Sequence, residues 1–205
     1  MNTRINIIKK IYNLSLHRAS RFITPLVMAF IVTACSASPS PTTFDLSAPT
    51  TVKAARSSHT QLAISEPLTV QALDSDRLIV KDSNGSISYL PSGQWADRLP
   101  RLVQTRLIQT FENASRLGKV NRPGDRIVAD QQLNTEIRDF QIESATGEAV
   151  VSVSAKIVND RTGRIVAARI FSARVPAQAI EADKAALHLD EALSRVLTDI
   201  VIWVR

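Results

Sequence analysis

The stretch from Ala129 to Arg174, ADQQLNTEIRDFQIESATGEAVVSVSAKIVNDRTGRIVAARIFSAR, decides the fold. Apolar and polar residues alternate along most of it, which is typical of strands that bury one face. The first segment alternates through Leu133 and Ile137 and then changes phase at Phe140, as a β-bulge would cause. The pattern therefore predicts long strands rather than helices.

Two turn signals divide this stretch into three strands. Thr146-Gly147 precedes a second strand in which Val151 and Ile157 share one face, and residues 159–163, Asn-Asp-Arg-Thr-Gly, lead into a third strand over 164–174. Short turns join neighbouring antiparallel strands. The sequence thus predicts a three-stranded antiparallel meander.

Upstream, the residues around Asn84-Gly85 predict a β-hairpin. Arg77–Lys81 and Ser86–Leu90 are apolar-rich segments on either side, and Asn-Gly readily takes the positive φ angles of a two-residue turn. Residues 62–64, Leu-Ala-Ile, predict a further short strand.

Two amphipathic helices complete the predicted domain. The first is capped by Asp97, tolerates Pro100 in its first turn and runs to about Leu117, where Gly118 ends it. The second is capped by Asp183. Its apolar stripe consists of Ala186, Leu189, Leu193, Val196, Leu197, Ile200 and Trp203. Residues 62–205 are therefore expected to form an α+β domain: an antiparallel sheet built from the hairpin and the meander, with the helices on one face.

The first 34 residues predict an export signal. A basic lead without acidic residues is followed by the apolar run Phe22–Val32, which is too short to span a bilayer and has the length of a signal-peptide core. The run ends in Val32-Thr33-Ala34-Cys35, which resembles a bacterial lipobox. Residues 1–34 are therefore interpreted as a signal peptide, and Cys35 as the lipidation site that holds the chain on a membrane.

Residues 35–61 are interpreted as the lipidated cysteine and a flexible tether. The segment is rich in Ser, Pro, Thr and Ala, a composition that buries too little apolar surface to order itself. Phe44-Asp45-Leu46 interrupts it, and two alternatives stay open: these residues dock on the domain, or they are a chance apolar pair in a free arm.

The charge of the chain does not indicate nucleic-acid binding. The formal net charge is +6, but five of the 25 Lys and Arg residues precede Cys35, which leaves 20 basic against 19 acidic residues in the exported part. A strongly basic face is the usual footprint of a nucleic-acid-binding protein. No nucleic-acid partner is therefore expected.

Catalytic machinery is not apparent either. The chain has one Cys, and the histidines after it are His59, in the tether, and His188, on the last helix, so no zinc site or cofactor is expected. Asp74 with Asp76, or Asp190 with Glu191, have the residue types for glycosidase chemistry. Turn and helix-surface charges are the favoured interpretation of both pairs, and we expect no enzyme.

A basic run and two tryptophans are the other candidates for binding. The run comprises Arg98, Arg101, Arg106, Arg116, Lys119, Arg122 and Arg126. It suits lipid headgroups or an acidic partner, while a solvated helix face is the commoner explanation. Trp95 and Trp203 suit an exposed apolar groove, but core packing beside the helices is favoured.

Several short motifs resemble the ABC-type transport auxiliary lipoproteins, the family that includes PqiC. They are Phe44-Asp-Leu46, LDSDRLIV at 73–80, SYL at 88–90, WAD at 95–97, Leu99-Pro100 and LIQTFE at 107–112. Phe44 stands where the family more usually has Tyr. The order and spacing of the motifs carry the resemblance, which extends over the anchor, the tether and essentially the whole domain.

The resemblance implies a non-catalytic auxiliary subunit of an MCE-type ABC lipid transport system. Its partner would be an MCE-domain protein. The same system would contain a permease and an ATPase, and it would move lipids between the inner and outer membranes. We expect a lipid-anchored outer-membrane protein that faces the periplasm. A structural or assembly lipoprotein that binds an outer-membrane protein is the alternative. Lipid binding by the domain and self-association are left open.

Overall fold

The computed structural model describes residues 40–52, 60–116, 119–177 and 180–204, without the side chains of Ser115 and Arg116. Within these ranges the strands are β1 (Thr42–Phe44), β2 (Leu62–Ile64), β3 (Leu68–Thr69), β4 (Arg77–Lys81), β5 (Ile87–Trp95), β6 (Val120–Asn121), β7 (Gln131–Glu143), β8 (Glu148–Asn159) and β9 (Ile165–Pro176). The helices are α1 (Leu99–Phe111), continued by a π-helical turn at Glu112–Arg116, and α2 (Ala182–Trp203).

The predicted meander is confirmed. Strand β8 pairs antiparallel with β7 along nearly all of its length, and β9 pairs antiparallel with β8. The register shifts between Ile137 and Asp139, which is the bulge that the phase change predicted. Because of this bulge, Ile137 and Phe140 can both be buried although they are three residues apart.

On its other edge, β7 is paired in succession by β2, β3 and β4, and all three run parallel to it. Strand β1 also runs parallel to β5. The α+β class is confirmed, and the sheet is mixed: the hairpin and the meander are antiparallel, while the junctions between them are parallel. The sequence patterns predicted the local turns. They did not predict the parallel junctions, because these depend on long-range pairing.

The hairpin of β4 and β5 is confirmed, and its turn differs from the predicted two-residue type. Asp82 and Ser86 close the turn through the Asp82 N–H, which donates to the Ser86 carbonyl at 2.9 Å. Within this turn, only Gly85 has a positive φ angle, of 84°. Three residues therefore make the turn, with glycine in the left-handed position that such loops require.

Both helices form where the apolar periodicity predicted them, but neither cap is the predicted one. Arg98 is the N-cap of α1, and the Leu99 N–H donates to the Ser75 carbonyl at 3.0 Å. Asp97 accepts from the Arg98 N–H instead. Glu181 is the N-cap of α2, which places Asp183 in the first turn, where a carboxylate still favours the helix dipole. The predicted end of the first helix, Leu117 and Gly118, lies outside the described residues.

The core lies between α2 and the sheet. Helix α2 packs on strands β4, β5, β7, β8 and β9, and α1 packs against α2. The stripe predicted on α2 is buried from Ala186 to Ile200. The apolar positions of α1 are buried as well, from Leu99 to Phe111. The amphipathic patterns thus identified the core-facing sides of both helices.

The segment predicted as the first part of a tether belongs to the folded domain. Thr42–Phe44 forms β1 at the edge of the sheet, beside β5, and Leu46 is 3% exposed. Of the two alternatives for Phe44–Leu46, docking on the domain is the one observed. A strand pairing and a buried leucine therefore order residues 42–46, within the segment interpreted as a tether.

Candidate functional site

The predicted lipidation site lies outside the described residues. Cys35, the signal peptide and His59 all fall in ranges that the structure does not describe. Lipid attachment at Cys35 therefore stays a prediction. Within the described ranges, no helix is long and apolar enough to cross a membrane.

The segment that follows the predicted anchor is fastened to both helices. Asp45 forms an ion pair with Arg106 of α1, with Oδ2 and Nη2 2.5 Å apart. Ser47 donates through its N–H and its hydroxyl to the carboxylate of Asp190 on α2, at 2.7 and 2.5 Å. Asn113 donates to the Pro49 carbonyl at 2.9 Å. We call residues 42–52 the N-terminal strap, and no sequence signal beyond Phe44–Leu46 predicted it.

Three of the four carboxylates considered for glycosidase chemistry make structural contacts. Asp74 accepts hydrogen bonds from the Arg98 guanidinium, and this hydrogen bond, with the charge of Asp74, raises the pKa of Arg98. Asp190 holds the strap, and Glu191 accepts from Arg195 at 2.6 Å. Asp74, Asp190 and Glu191 are thus engaged in an ion pair, in contacts with the strap and in a pair along α2.

The described residues offer no metal cluster. No group of three or more His, Cys, Asp or Glu side chains in the described ranges is arranged to hold an ion. His188 is half-buried, and its Nδ1 lies 3.9 Å from the nearer oxygen of Glu191, beyond hydrogen-bond distance. The arrangement offers no catalytic constellation among the residues that were candidates from the sequence.

Much of the predicted basic run is neutralised within the domain. Arg98 pairs with Asp74 and Glu66, Arg101 with Asp97, and Arg106 with Asp45. Of the rest, Arg122 donates to the Thr105 hydroxyl at 3.2 Å and lines an open groove of about 500 Å³ together with Arg101. Three of the seven residues of the run are thus ion-paired within the domain.

Trp95 is packed in the interior of the fold, whereas Trp203 lies at the edge of the core. Trp95 is 2% exposed and makes an edge-on contact with Phe140, with ring centroids 5.7 Å apart. Trp203 is half-buried and contacts Phe171 in the same manner at 5.5 Å. The core interpretation is confirmed for Trp95. Tyr89 of the SYL motif is 42% exposed, with the guanidinium of Arg77 over its ring.

Two pairs of exposed apolar side chains, Ile87 with Tyr89 and Ile127 with Val128, lie at opposite ends of β7. Strand β4 joins β7 at Ile142–Glu143, so Ile87 and Tyr89 of the hairpin lie at that end. Strand β2 joins β7 at Gln131–Leu133, and the loop before β7 exposes Ile127 and Val128 at the other end. The eleven residue steps from 131 to 142 span about 36 Å of extended strand. Ile127 and Val128, an apolar pair in a polar loop, have no helical or strand periodicity around them that could have predicted their exposure.

Comparison with known proteins places this fold in a family. The model of the ABC-type transport auxiliary lipoprotein component family matches residues 43–201. An uncharacterised protein of Bradyrhizobium diazoefficiens is 35% identical over 167 residues, which are 78% of this chain and 44% of that protein. The chain thus spans less than half the length of that relative.

Two solved structures share the fold. One is the crystal structure of a Xanthomonas campestris protein of the DUF330 family, with a TM-score of 0.70, 22% identity, and coverage of 79% of this chain and 94% of that chain. The other is an uncharacterised protein with a TM-score of 0.64, 14% identity, and coverage of 81% and 99%. At these identities the likeness concerns the fold alone.

Proposed function

This chain belongs to the family of ABC-type transport auxiliary lipoprotein components, and we propose that it is the non-catalytic auxiliary subunit of an MCE-type ABC lipid transport system. The observation that carries the proposal is the family match over residues 43–201, which takes in the strap, the sheet and nearly all of α2. An auxiliary role needs surfaces that bind partners. The occupied carboxylates of Asp74, Asp190 and Glu191 agree with that role, because they leave no free acid–base pair among the candidates.

We further propose that Cys35 carries the lipid and that the protein is held at the outer membrane, facing the periplasm. The lipobox-like sequence before Cys35 supports the lipid, and Ser36 supports the destination, since an Asp at that position is the usual signal for inner-membrane retention. Cys35→Ala should abolish labelling by a fatty-acid probe, whereas Ser36→Asp should keep the label and move the protein to inner-membrane fractions. Unchanged labelling of Cys35→Ala would overturn the lipid site.

A genetic experiment tests the transport role. Deletion of the gene should raise sensitivity to detergents, and the double deletion with the MCE-domain partner should be no more sensitive than either single deletion, because both losses would disable one system. A clearly additive effect would contradict the proposal and would favour a structural or assembly lipoprotein that binds an outer-membrane protein. As a control, the deletion strain is complemented with the Thr50→Ala variant, which changes an exposed strap residue and should be expressed like the wild type.

A further inference from the structure

We propose that the outer face of the β4–β5 hairpin, formed by Arg77, Lys81, Ile87 and Tyr89, rests on the bilayer that holds the lipid of Cys35. We call these four residues the anchor-side surface. The inference rests on the proposed lipid anchor and adds to it the orientation of the domain on the membrane.

The short link between the anchor and the domain restricts that orientation. Only five residue steps separate Cys35 from Ser40, where the folded unit begins, and a fully extended chain of that length reaches at most about 18 Å. A compact unit of the size of Ser40–Val204 is about 40 Å across. Because the link is shorter than the domain, the part of the domain next to Ser40 must stay near the bilayer.

The anchor-side surface lies next to the point where the chain enters the domain. Pro41 lines a cavity of about 250 Å³ together with Arg77 and Leu90, among others. The guanidinium carbon of Arg77 lies 5.4 Å from the ring centroid of Tyr89. Lys81 and Ile87 are cross-strand partners in the same hairpin. The four residues therefore extend from the entry point toward the hairpin turn.

The chemistry of this surface suits a bilayer interface. Tyr89 and Ile87 are 42% and 47% exposed, and aromatic rings beside aliphatic side chains are common at the headgroup level of membranes. In the described part of the chain, neither Arg77 nor Lys81 has a carboxylate oxygen within 4 Å, in contrast to Arg98, Arg106 and Arg174. Both cations can therefore donate to lipid phosphates.

Acidic groups nearby limit the role of net charge. Asp76 lines the same cavity as Pro41, and Asp82, next to Lys81, accepts a hydrogen bond from the Ser144 hydroxyl. Glu143 is the register partner of Lys81 in the neighbouring strand, and the charges of the two side chains attract each other. The surface is therefore not strongly cationic as a whole. Apolar contact and hydrogen bonds to phosphates would hold it on the membrane, so the contact should persist at high salt.

Fluorescence quenching by lipids tests the orientation. The chain has one cysteine, which the lipid would block, so a cysteine introduced at Ile87, Tyr89 or Val128 would be the only free thiol. Each lipidated full-length variant would carry an environment-sensitive fluorophore at that position. It would then be inserted in vesicles of phosphatidylethanolamine and phosphatidylglycerol that contain a nitroxide-labelled lipid. Val128 is the matched control, an 87% exposed apolar residue at the opposite end of β7.

We expect strong quenching of the labels at 87 and 89 and little quenching at 128. Equal quenching at the three positions, or stronger quenching at 128, would overturn the orientation. Flotation of the vesicles in the same samples separates this result from a failure of the anchor. Protein that floats with an unquenched hairpin contradicts only the orientation, whereas protein that does not float contradicts the lipid anchor as well. Circular dichroism checks that each variant is folded.

Discussion

At the residue scale, three elements meet closely at Gly93. A Cβ at this position would lie 2.6 Å from Cβ of Ala182 on α2 and 2.9 Å from Cε2 of Phe44 on β1. Ala182 has no flexible side chain that could move aside. The contact therefore fixes how α2 and the strap approach the sheet, and it requires glycine on steric grounds.

Gly93→Ala is expected to lower the free energy of unfolding by about 1–3 kcal/mol, the usual cost of an extra methyl group in a packed interior. Urea denaturation followed by circular dichroism would measure it. Ser92→Ala, at the exposed neighbouring position of β5, is the control and should be close to neutral. Equal stability of Gly93→Ala and the wild type would show that α2 does not pack this closely on β5.

An ion-pair network at the end of β7 predicts a pH dependence of stability. Arg174 donates to Glu143 at 2.8 Å and to Glu148 at 2.9 Å, and the hydrogen bond from Arg174 lowers the pKa of Glu143. A carboxylate whose pKa is lowered by folding stabilises the protein above its unfolded pKa, which is about 4.3 for Glu. That contribution is lost as the pH falls through the lower, folded-state pKa.

Glu143→Gln should therefore be less stable than the wild type at neutral pH, by about 0.2–1 kcal/mol because Arg174 is half exposed. The difference should shrink in acid, below the pKa of the unfolded carboxyl. Urea denaturation at neutral and acidic pH measures both quantities. Glu136→Gln, an exposed position on the same strand without an ion pair in the described part of the chain, should show no comparable change. A constant difference at all pH values would exclude the network as its origin.

At the element scale, the strap is the feature that most changes the sequence-based interpretation. Its composition is that of a tether, yet β1 adds to the sheet, Leu46 is buried, and Asp45 and Ser47 contact the two helices. These contacts offset the conformational entropy cost of ordering the segment, which its composition alone would leave too large. They also shorten the link to Cys35, from which the proposed orientation on the membrane follows.

Leu46→Ala is expected to lower the free energy of unfolding by about 2–5 kcal/mol, as for other buried leucines. Thr50→Ala, exposed in the same strap, should have little effect and serves as the control. Thermal unfolding of the two variants beside the wild type gives the comparison. If Leu46→Ala unfolded like the wild type, residues 42–52 would be a free tether after all.

Elements with strong local signals were predictable from the sequence. Alternation identified β7, β8 and β9, including the bulge near Asp139, and helical periodicity identified the buried faces of α1 and α2. The parallel pairing of β2, β3 and β4 with β7 was not predictable, because it joins residues about 60 to 70 positions apart that carry no mutual signal. The predicted N-cap of α1 was wrong because a distant carbonyl, that of Ser75, accepts from the first N–H of the helix in place of a local side chain.

At the scale of the whole molecule, the two ends of β7 differ in their surroundings. The hairpin end carries the anchor-side surface and lies near the entry of the chain, whereas the loop with Ile127 and Val128 lies at the far end. For a domain held on the outer membrane by a short link, that far end would point into the periplasm.

Crosslinking in intact envelopes tests the central claim most directly, namely that the protein is an auxiliary subunit bound to an MCE-domain partner. Tagged full-length protein would be crosslinked in the cell, purified in detergent and its partners identified by mass spectrometry, with Cys35→Ala as the unanchored control. The account predicts that the MCE-domain protein is recovered with the wild type and is reduced or absent with the control. Repeated recovery of outer-membrane assembly factors alone would contradict it.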